Sequence, residues 1–484
     1  MTIASIGQAL RRTAMPAALA VALTGCMVGP DYVRPEAPTS ATFREGAGWK
    51  AAQPRDSLAR GRWWEVFGDA DLDALELQVD VSNQTIQAAE ARVREARAAM
   101  QAVRAGLFPS VNANAAAVRS SRSGGNGSSS SSSATSSSYN AALDASWEVD
   151  LWGRVRRGVE ASEAGAQASV ADLAAARLSV QSLLAQSYLL LRVQDAQIEL
   201  LMDTVAAYDR ALLLTRNQYA AGIVARGDVA QAEAQLKSTQ AQVLEARIAR
   251  AQLEHAIAVL VGKPPAQLAI APREFKAVFP SIPLAVPSEL LERRPDIAAA
   301  ERRVASANAQ IGVAEAAFYP SLSLSATGGV QSSALGDLIS LPSRYWSVGA
   351  GLAQFLFDAG LRSAQKAQAV ASWDETVAGY RSTVLDAFQE VEDNLVALSL
   401  LEQEAAVQDD AVKFARESAA IATNQYKAGT VSYVVVVVLQ AAALNNERTS
   451  LGILGRRLTA SVGLIKALGG GWDATALAAA PAKD

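Results

Sequence analysis

The chain has 484 residues, half of them hydrophobic, and a formal net charge of −4. Its length allows a large core and is too great for one small domain, and the weakly acidic balance gives no electrostatic reason to bind nucleic acid. One cysteine, Cys26, and one histidine, His255, exclude an internal disulfide and a Cys/His metal cluster. A Ser-His-Asp arrangement would depend on His255 alone, and we interpret this residue as a packed or solvated helix residue.

The first 25 residues have the pattern of a secretory signal. Arg11 and Arg12 precede a short apolar stretch over 15–23, which is followed by Thr24, Gly25 and Cys26. A short apolar stretch that ends in small residues is typical of a signal peptide and too short for a membrane span. We therefore predict a signal peptide at 1–25.

The sequence Leu-Thr-Gly-Cys at this point resembles the bacterial lipobox, in which the cysteine is acylated and becomes the mature N-terminus. Cys26 is then expected to bind outer-membrane lipid through its acyl chains, which give stable anchoring when two or three are present. Met27 follows it, where an aspartate would indicate retention in the inner membrane. The alternative is a plain signal peptide with a chance cysteine. Residues 26–68 would form a lipidated N-terminal segment.

Two halves of the chain match in the same order, roughly 200 residues apart. The pattern Asn-Gln-Tyr-x-Ala-Gly starts at Asn217 and again at Asn424, and a Pro-Ser pair stands at Pro109 and at Pro320. Such matches indicate an internal duplication. We assign the first repeat to 69–271, the second to 284–470, and a C-terminal tail to 471–484.

Each half follows one plan. It starts with a helix, at 70–107 or 296–318, which is rich in strong helix formers and ends before the Pro-Ser pair. Apolar and polar residues then alternate, which predicts strands at about 110–119, 139–151, 321–330 and 345–355. The Ser/Gly-rich stretch 120–138 and its counterpart 331–344 are predicted to be hairpin loops on the outside of a membrane.

Very long helices follow the strands. The stretches 154–221 and 361–428 contain no proline, and at about 1.5 Å per residue each helix would reach on the order of 100 Å. Apolar residues spaced by six or seven predict coiled-coil packing. Return helices at 228–261 and 435–468 make the turns at 222–227 and 429–434 the tips of two helical hairpins.

Four amphipathic strands are too few to close a membrane barrel, which needs about eight. Open sheet edges are not tolerated in lipid, so several copies of the chain would have to combine their strands. No stretch of about 18 apolar residues follows the signal peptide, and the apolar run 434–439 is far too short to span a membrane.

Several motifs in order resemble the outer-membrane factors, the TolC-like efflux ducts, and among them the NodT-type lipoproteins. They are Gly29-Pro30-Asp31-Tyr32 shortly after Cys26, Trp63-Trp64 with Phe67, Arg293-Arg294-Pro295-Asp296, and the doubled Asn-Gln-Tyr pattern. The resemblance covers essentially the whole mature chain. It implies a mainly α-helical homotrimer with a twelve-stranded barrel, a helical periplasmic tunnel and an equatorial belt. It further implies passive export of drugs and toxic compounds for a periplasmic adaptor and an inner-membrane transporter of the RND type.

The resemblance also implies sites. The adaptor would contact the two hairpin tips, which consist of Gly222, Ile223, Val224, Ala225, Arg226, Gly429, Thr430, Val431 and Ser432. Some relatives narrow the tunnel with an acidic ring just after the second tip, but the matching stretch 433–439 contains no acid. A constriction at Val434 and Val438 would be apolar and would close by packing and dewetting; alternatively, these valines pack between helices.

Other functions remain open on the sequence. A TolC-like duct for protein secretion has the same fold, and metal-ion export is disfavoured because few methionines and one histidine are present. A periplasmic adaptor lipoprotein would need one helical hairpin and a separate β-rich module. The sequence lacks G-x-G-x-x-G, H-E-x-x-H and G-x-S-x-G, so we predict neither an enzyme nor a cofactor.

Overall fold

The computed structural model describes residues 27–40, 42–46, 62–122, 134–280, 282 and 293–472. The predicted signal peptide, Cys26 and almost all of the predicted C-terminal tail lie outside these residues. The chain consists of two compact units. One, here called the sheet unit, takes in the described residues up to Glu36 together with Val93–Ala168 and Ala300–Tyr380; the other, the helical unit, takes in the described residues of Ala37–Arg92, Ser169–Ala299 and Arg381–Asp484.

The described residues form long helices and one small sheet. The helices are α1 (Ala70–Ser82), α2 (Gln84–Ala105), α3 (Arg154–Ala220), α4 (Arg226–Leu260), α5 (Pro295–Ala316), α6 (Leu361–Lys427) and α7 (Tyr433–Ala467). The strands are β1 (Ser110–Arg122), β2 (Ala134–Val149), β3 (Ser321–Ser332) and β4 (Arg344–Ala353). No helix among the described residues has the length and apolar character needed to cross a membrane.

The duplication is visible in the lengths of the elements. Helices α3 and α6 have 67 residues each, and the return helices α4 and α7 have 35 each. Helices α2 and α5, which precede the strands, have 22 each. The structure thus repeats one plan of helix, two strands, long helix and return helix.

The helix predicted over 70–107 is two helices in the structure. The backbone of Asn83 is extended, and its side-chain oxygen accepts hydrogen bonds from Thr85 N at 2.9 Å and Ile86 N at 3.0 Å. Its amide nitrogen also donates to Leu260 O at 2.7 Å. Asn83 therefore caps α2 and ends α1, because asparagine satisfies the free N–H groups of a helix start.

The strands extend further into the predicted loops than the alternation of residues indicated. β1 continues to Arg122 and β2 already begins at Ala134, because the serines of this stretch pair with each other across the hairpin, as Ser120 does with Ser136. Serine in such a stretch is compatible with a loop or a strand, so composition alone did not fix this boundary.

A buried ion network stabilises the helical unit. Arg192, whose side chain is 1% exposed, donates to Tyr188 Oη at 3.0 Å, Asp195 Oδ2 at 3.1 Å and Asp71 Oδ2 at 3.1 Å. Arg250 Nε donates to the other oxygen of Asp195 at 2.6 Å. The pairing with Asp195, and with the partly exposed Asp71, allows the guanidinium of Arg192 to be buried between α1, α3 and α4.

Candidate functional site

The sheet is antiparallel throughout, in the order β1-β2-β3-β4, and has two chemically different faces. Consecutive rows of paired residues cross all four strands. One row consists of Val111, Ala145, Ala326 and Val348. The next row, on the opposite face, consists of Asn112, Asp144, Thr327 and Ser347. The alternation predicted from the sequence therefore produces one apolar and one polar face.

The apolar face is open to the surroundings. Trp346 is 78% exposed, Val348 75% and Leu352 71%, all on β4. Large apolar side chains on one exposed face are unusual for a sheet that borders water, where such a face is normally covered. On the polar face, Thr327 Oγ1 donates to Asp144 Oδ1 at 2.6 Å, so this carboxylate is held by an uncharged partner.

Both edges of this sheet are unpaired within the described chain, since β1 and β4 each have one neighbour. An unpaired edge exposes a row of N–H and C=O groups that can pair with another strand. The edge β4 also carries the most exposed apolar residues of the sheet. The sheet therefore presents a face and two edges that the described residues leave uncovered.

Aromatic residues cluster at the end of the sheet where the helices begin, here called the sheet base. Trp152, just after β2, stacks on Tyr319, just before β3, with ring centroids 4.7 Å apart. Trp152 Nε1 donates to Pro320 O at 2.8 Å. Phe355 and Phe357, just after β4, are 72% and 86% exposed. Exposed aromatic rings at one level of a sheet are typical of the boundary between lipid and water.

The two hairpin tips of the helical unit are capped in the same way. Gly222 and Gly429 have φ of +71° and +73°, a left-handed conformation that glycine adopts without strain. The N–H groups of Ile223 and Thr430 donate to the carbonyls of Gln218 at 2.9 Å and Gln425 at 3.0 Å. These bonds end α3 and α6 and turn the chain into the return helices.

The predicted tip residues lie at the surface with few exceptions. Ile223 is 71% exposed, and Val224 and Val431 are half-buried. Arg226 Nη2 lies 3.9 Å from Glu233 Oε2, with most of the arginine side chain exposed. The first hairpin tip thus presents an exposed isoleucine and an exposed arginine at the surface.

The two tips are joined to each other. Tyr426 Oη donates to Gln218 Oε1 at 2.7 Å, and the rings of Tyr426 and Tyr433 lie 5.2 Å apart. A buried apolar cluster continues this contact through all four long helices, with Tyr208, Leu212, Val229, Ala232, Leu236, Ala422, Tyr426, Tyr433, Val436 and Val437. The tip region is therefore packed as one body.

The valine run after the second tip divides between two faces of α7. Val436 and Val437 are 2% and 7% exposed, because they belong to that cluster. Val434 and Val438, the predicted constriction residues, are 46% and 59% exposed and stand one helical turn apart. Packing between helices thus accounts for Val436 and Val437, whereas Val434 and Val438 lie on an exposed face of α7.

A buried acid was not singled out by the sequence. Glu76, on α1, is 0% exposed, and within the described chain neither carboxyl oxygen has a hydrogen-bond partner. Burial raises the pKa of the Glu76 carboxyl to about 9, and the nearby Asp80 and Asp73 add to the shift. Glu76 stands at core spacing between Leu72 and Val79, which is the one signal in the sequence that could have indicated its burial.

Comparison with known proteins identifies the family. The family model described as outer membrane efflux protein matches residues 78–263 and 286–470. A probable efflux pump outer membrane protein of Pseudomonas putida, TtgC, is 32% identical over 460 residues, 94% of this chain and 95% of that protein. The pyoverdine export outer membrane protein OpmQ of Pseudomonas aeruginosa is 32% identical over 451 residues, 90% and 93%.

A solved structure of an outer-membrane channel is also similar to this chain. The outer-membrane channel OprN has a TM-score of 0.85 and 31% identity, over 92% of this chain and all of that one. The mostly helical architecture with one four-stranded sheet is the architecture of such channels. The chain belongs to the outer membrane efflux protein family.

Proposed function

We propose that this outer-membrane protein is the passive duct of a three-part efflux system, and that three copies combine their strands into a closed twelve-stranded barrel. The observation that carries the proposal is the sheet, whose apolar face is exposed and whose two edges are unpaired. In lipid, an apolar face needs no cover, while every edge must be paired, and strands from further copies would pair the edges. The polar face, with Asp144 and Ser347, then lines a water-filled path.

An uncovered apolar line on α6 supports association through the helices as well. Four residues spaced by seven are exposed, namely Leu400 at 57%, Val407 at 72%, Phe414 at 58% and Ile421 at 50%. Apolar residues at this spacing form the contact line of coiled coils. A second copy that packs on this line would join the helical units of neighbouring copies.

The duct would depend on partners for its energy and its cargo. The tips Gly222–Arg226 and Gly429–Ser432 would contact a periplasmic adaptor, which connects the duct to an inner-membrane transporter of the RND type. Cys26 would carry the acyl chains that anchor the mature N-terminus. The relatives' names mention efflux and pyoverdine export, and we propose small organic compounds as the cargo.

Val434 and Val438 would line the narrowest part of the path. Both side chains are exposed on one face of α7 just past the second tip. A ring of valines excludes ions because a narrow apolar passage dewets, without any charge to select cations. Such a constriction would differ from the acidic ring that the family resemblance implies for some relatives.

Channel recordings in planar bilayers test both the duct and its constriction. The purified protein is expected to form channels of low conductance and weak ion selectivity.

Val434→Asp is expected to raise the conductance severalfold and to make the channel prefer cations, because three carboxylates wet and charge the passage. Val434→Asn, similar in shape and uncharged, serves as the control and should change the conductance without the preference. If Val434→Asp leaves conductance and selectivity unchanged, the constriction lies elsewhere; if no channel forms, the duct itself is wrong.

A further inference from the structure

The first described residues of the chain lie in a groove of the sheet unit. We call residues 27–32 the N-terminal strap. The guanidinium of Arg157, 1% exposed, donates to Val28 O at 3.1 Å, to Gly29 O at 3.2 Å and to Asp31 Oδ1 at 2.9 Å. One buried arginine at the start of α3 thus binds three successive parts of the strap.

The groove fits the backbone of the strap closely. Gly29 has a φ of +91°, and a Cβ there would lie 2.4 Å from Gly312 Cα on α5. A Cβ at Gly153 would lie 2.4 Å from Met27 Cγ. A Cβ at Gly312 would lie 2.8 Å from Arg157 Cγ. No side chain can replace these three glycines without moving the strap or the arginine.

Both ends of the strap are fixed as well. Val28 N donates to Trp152 O at 3.1 Å, which attaches the beginning of the strap to the sheet base. At the other end Tyr32 Oη donates to Glu301 on α5, and the guanidinium of Arg302 lies 5.7 Å from the centre of the Tyr32 ring. The described N-terminus is therefore bound along its whole length.

We propose that this groove is a positioning site for the acylated N-terminus, with Arg157 as the positioning residue. It holds Val28 against Trp152 and Met27 against Gly153, so that acyl chains on the preceding residue, Cys26, would enter the membrane at the sheet base. Cys26 precedes Met27, and adjacent Cα atoms lie about 3.8 Å apart, so the anchor has almost no slack. The inference rests on the proposed acylation of Cys26.

Fixing the anchor has a physical consequence for assembly. If the strap were free, a flexible segment of about ten residues would spread over roughly 18 Å between the lipid and the sheet. The effective concentration of a tethered group falls with about the −3/2 power of tether length. A bound strap therefore keeps the apolar face of the sheet at the membrane surface, where the strands insert.

The test compares a strap variant in two backgrounds. Gly29→Ala, which blocks the groove from the strap side, is made in the acylated protein and in a Cys26→Ser protein exported with an ordinary cleavable signal peptide. Val33→Ala is the control, because Val33 lies just outside the strap and is 79% exposed. The measurement is the rate at which newly made protein becomes protease-resistant in the outer membrane.

Gly29→Ala is expected to slow assembly roughly tenfold in the acylated protein, the equivalent of about 1.4 kcal/mol, and to have little further effect in the Cys26→Ser protein. Arg157→Met should reproduce this dependence from the groove side. Equal slowing in both backgrounds would overturn the proposal, because the strap would then only stabilise the fold. Unchanged assembly of the acylated Gly29→Ala protein would overturn it too. Absence of fatty-acid label on the wild-type protein would instead remove the acylation on which the proposal rests.

Discussion

Val348→Arg is expected to abolish assembly of the protein in the outer membrane. Val348 lies in the middle of β4 on the exposed apolar face, in one row with Val111, Ala145 and Ala326. An arginine facing lipid near the middle of a membrane costs about 2–4 kcal/mol, and a trimer would contain three of them. The protein should therefore be degraded or remain in the periplasm, as measured by its amount in urea-washed outer membranes.

Ser347→Arg provides a matched control for this substitution. Ser347 is the preceding residue, also exposed and in the same strand, but it belongs to the polar face beside Thr327. An arginine there would face water in the proposed duct, so the protein should reach the outer membrane at nearly wild-type amounts. Equal loss of both variants, or equal retention of both, would mean that the two faces do not differ in their contact with lipid.

Glu76→Leu is expected to stabilise the protein, by on the order of 3 kcal/mol per chain at pH 7. The reason is the difference between the two states of the wild type. In the folded chain, burial raises the pKa of Glu76 to about 9 from its ordinary value of 4.5. At pH 7 the unfolded chain has released this proton and the folded chain has kept it, and each pKa unit of this difference is worth about 1.4 kcal/mol.

The difference between the folded and unfolded pKa of Glu76 also determines how the stability of the wild-type protein changes with pH. Between pH 4.5 and about 9 the folded state binds more protons at Glu76 than the unfolded state does. The contribution of Glu76 to stability is therefore fully retained below pH 4.5, falls as the pH rises through this window, and is lost above pH 9.

Thermal unfolding of the detergent-purified protein, followed by circular dichroism at pH 5, 7 and 8.5, measures this effect. Relative to the wild type, Glu76→Leu should unfold at a higher temperature, and the advantage should grow with pH. Glu76→Gln keeps the shape and the buried polar atoms but cannot ionise. Its unfolding temperature relative to the wild type should therefore rise with pH as that of Glu76→Leu does, without the further gain that comes from burying an apolar side chain. A constant difference across the pH range would show that Glu76 is ionised in the folded protein.

Much of the architecture could be predicted because it depends on local patterns. The lengths of the long helices, the pairs of strands and the turns at Gly222 and Gly429 follow from periodicity, from proline and from the internal duplication. The structure extends the strands into the serine-rich hairpin and divides one predicted helix at Asn83. The strand extension depends on pairing across the hairpin. The break at Asn83 depends on its side-chain cap of Thr85 and Ile86, and the bond from Asn83 to Leu260 O adds a contact that no local pattern contains.

The parts of the site that could not be predicted depend on tertiary contacts. Arg157 looks like any arginine at a helix start, and only its burial against Val28, Gly29 and Asp31 distinguishes it. Likewise, the run of valines after the second tip is uniform in sequence. The structure separates the exposed Val434 and Val438 from the buried Val436 and Val437, because only the second pair belongs to the apolar cluster of the tip region.

Susceptibility of a deletion strain tests the duct function most directly. The gene would be removed from a strain that lacks other ducts of this family, and growth would be measured across a panel of small organic antimicrobials. We expect increased susceptibility to at least one compound, restored by the wild-type and Ser347→Arg proteins and not by Val348→Arg. Unchanged susceptibility to every compound, or full restoration by Val348→Arg, would contradict a membrane-spanning efflux duct.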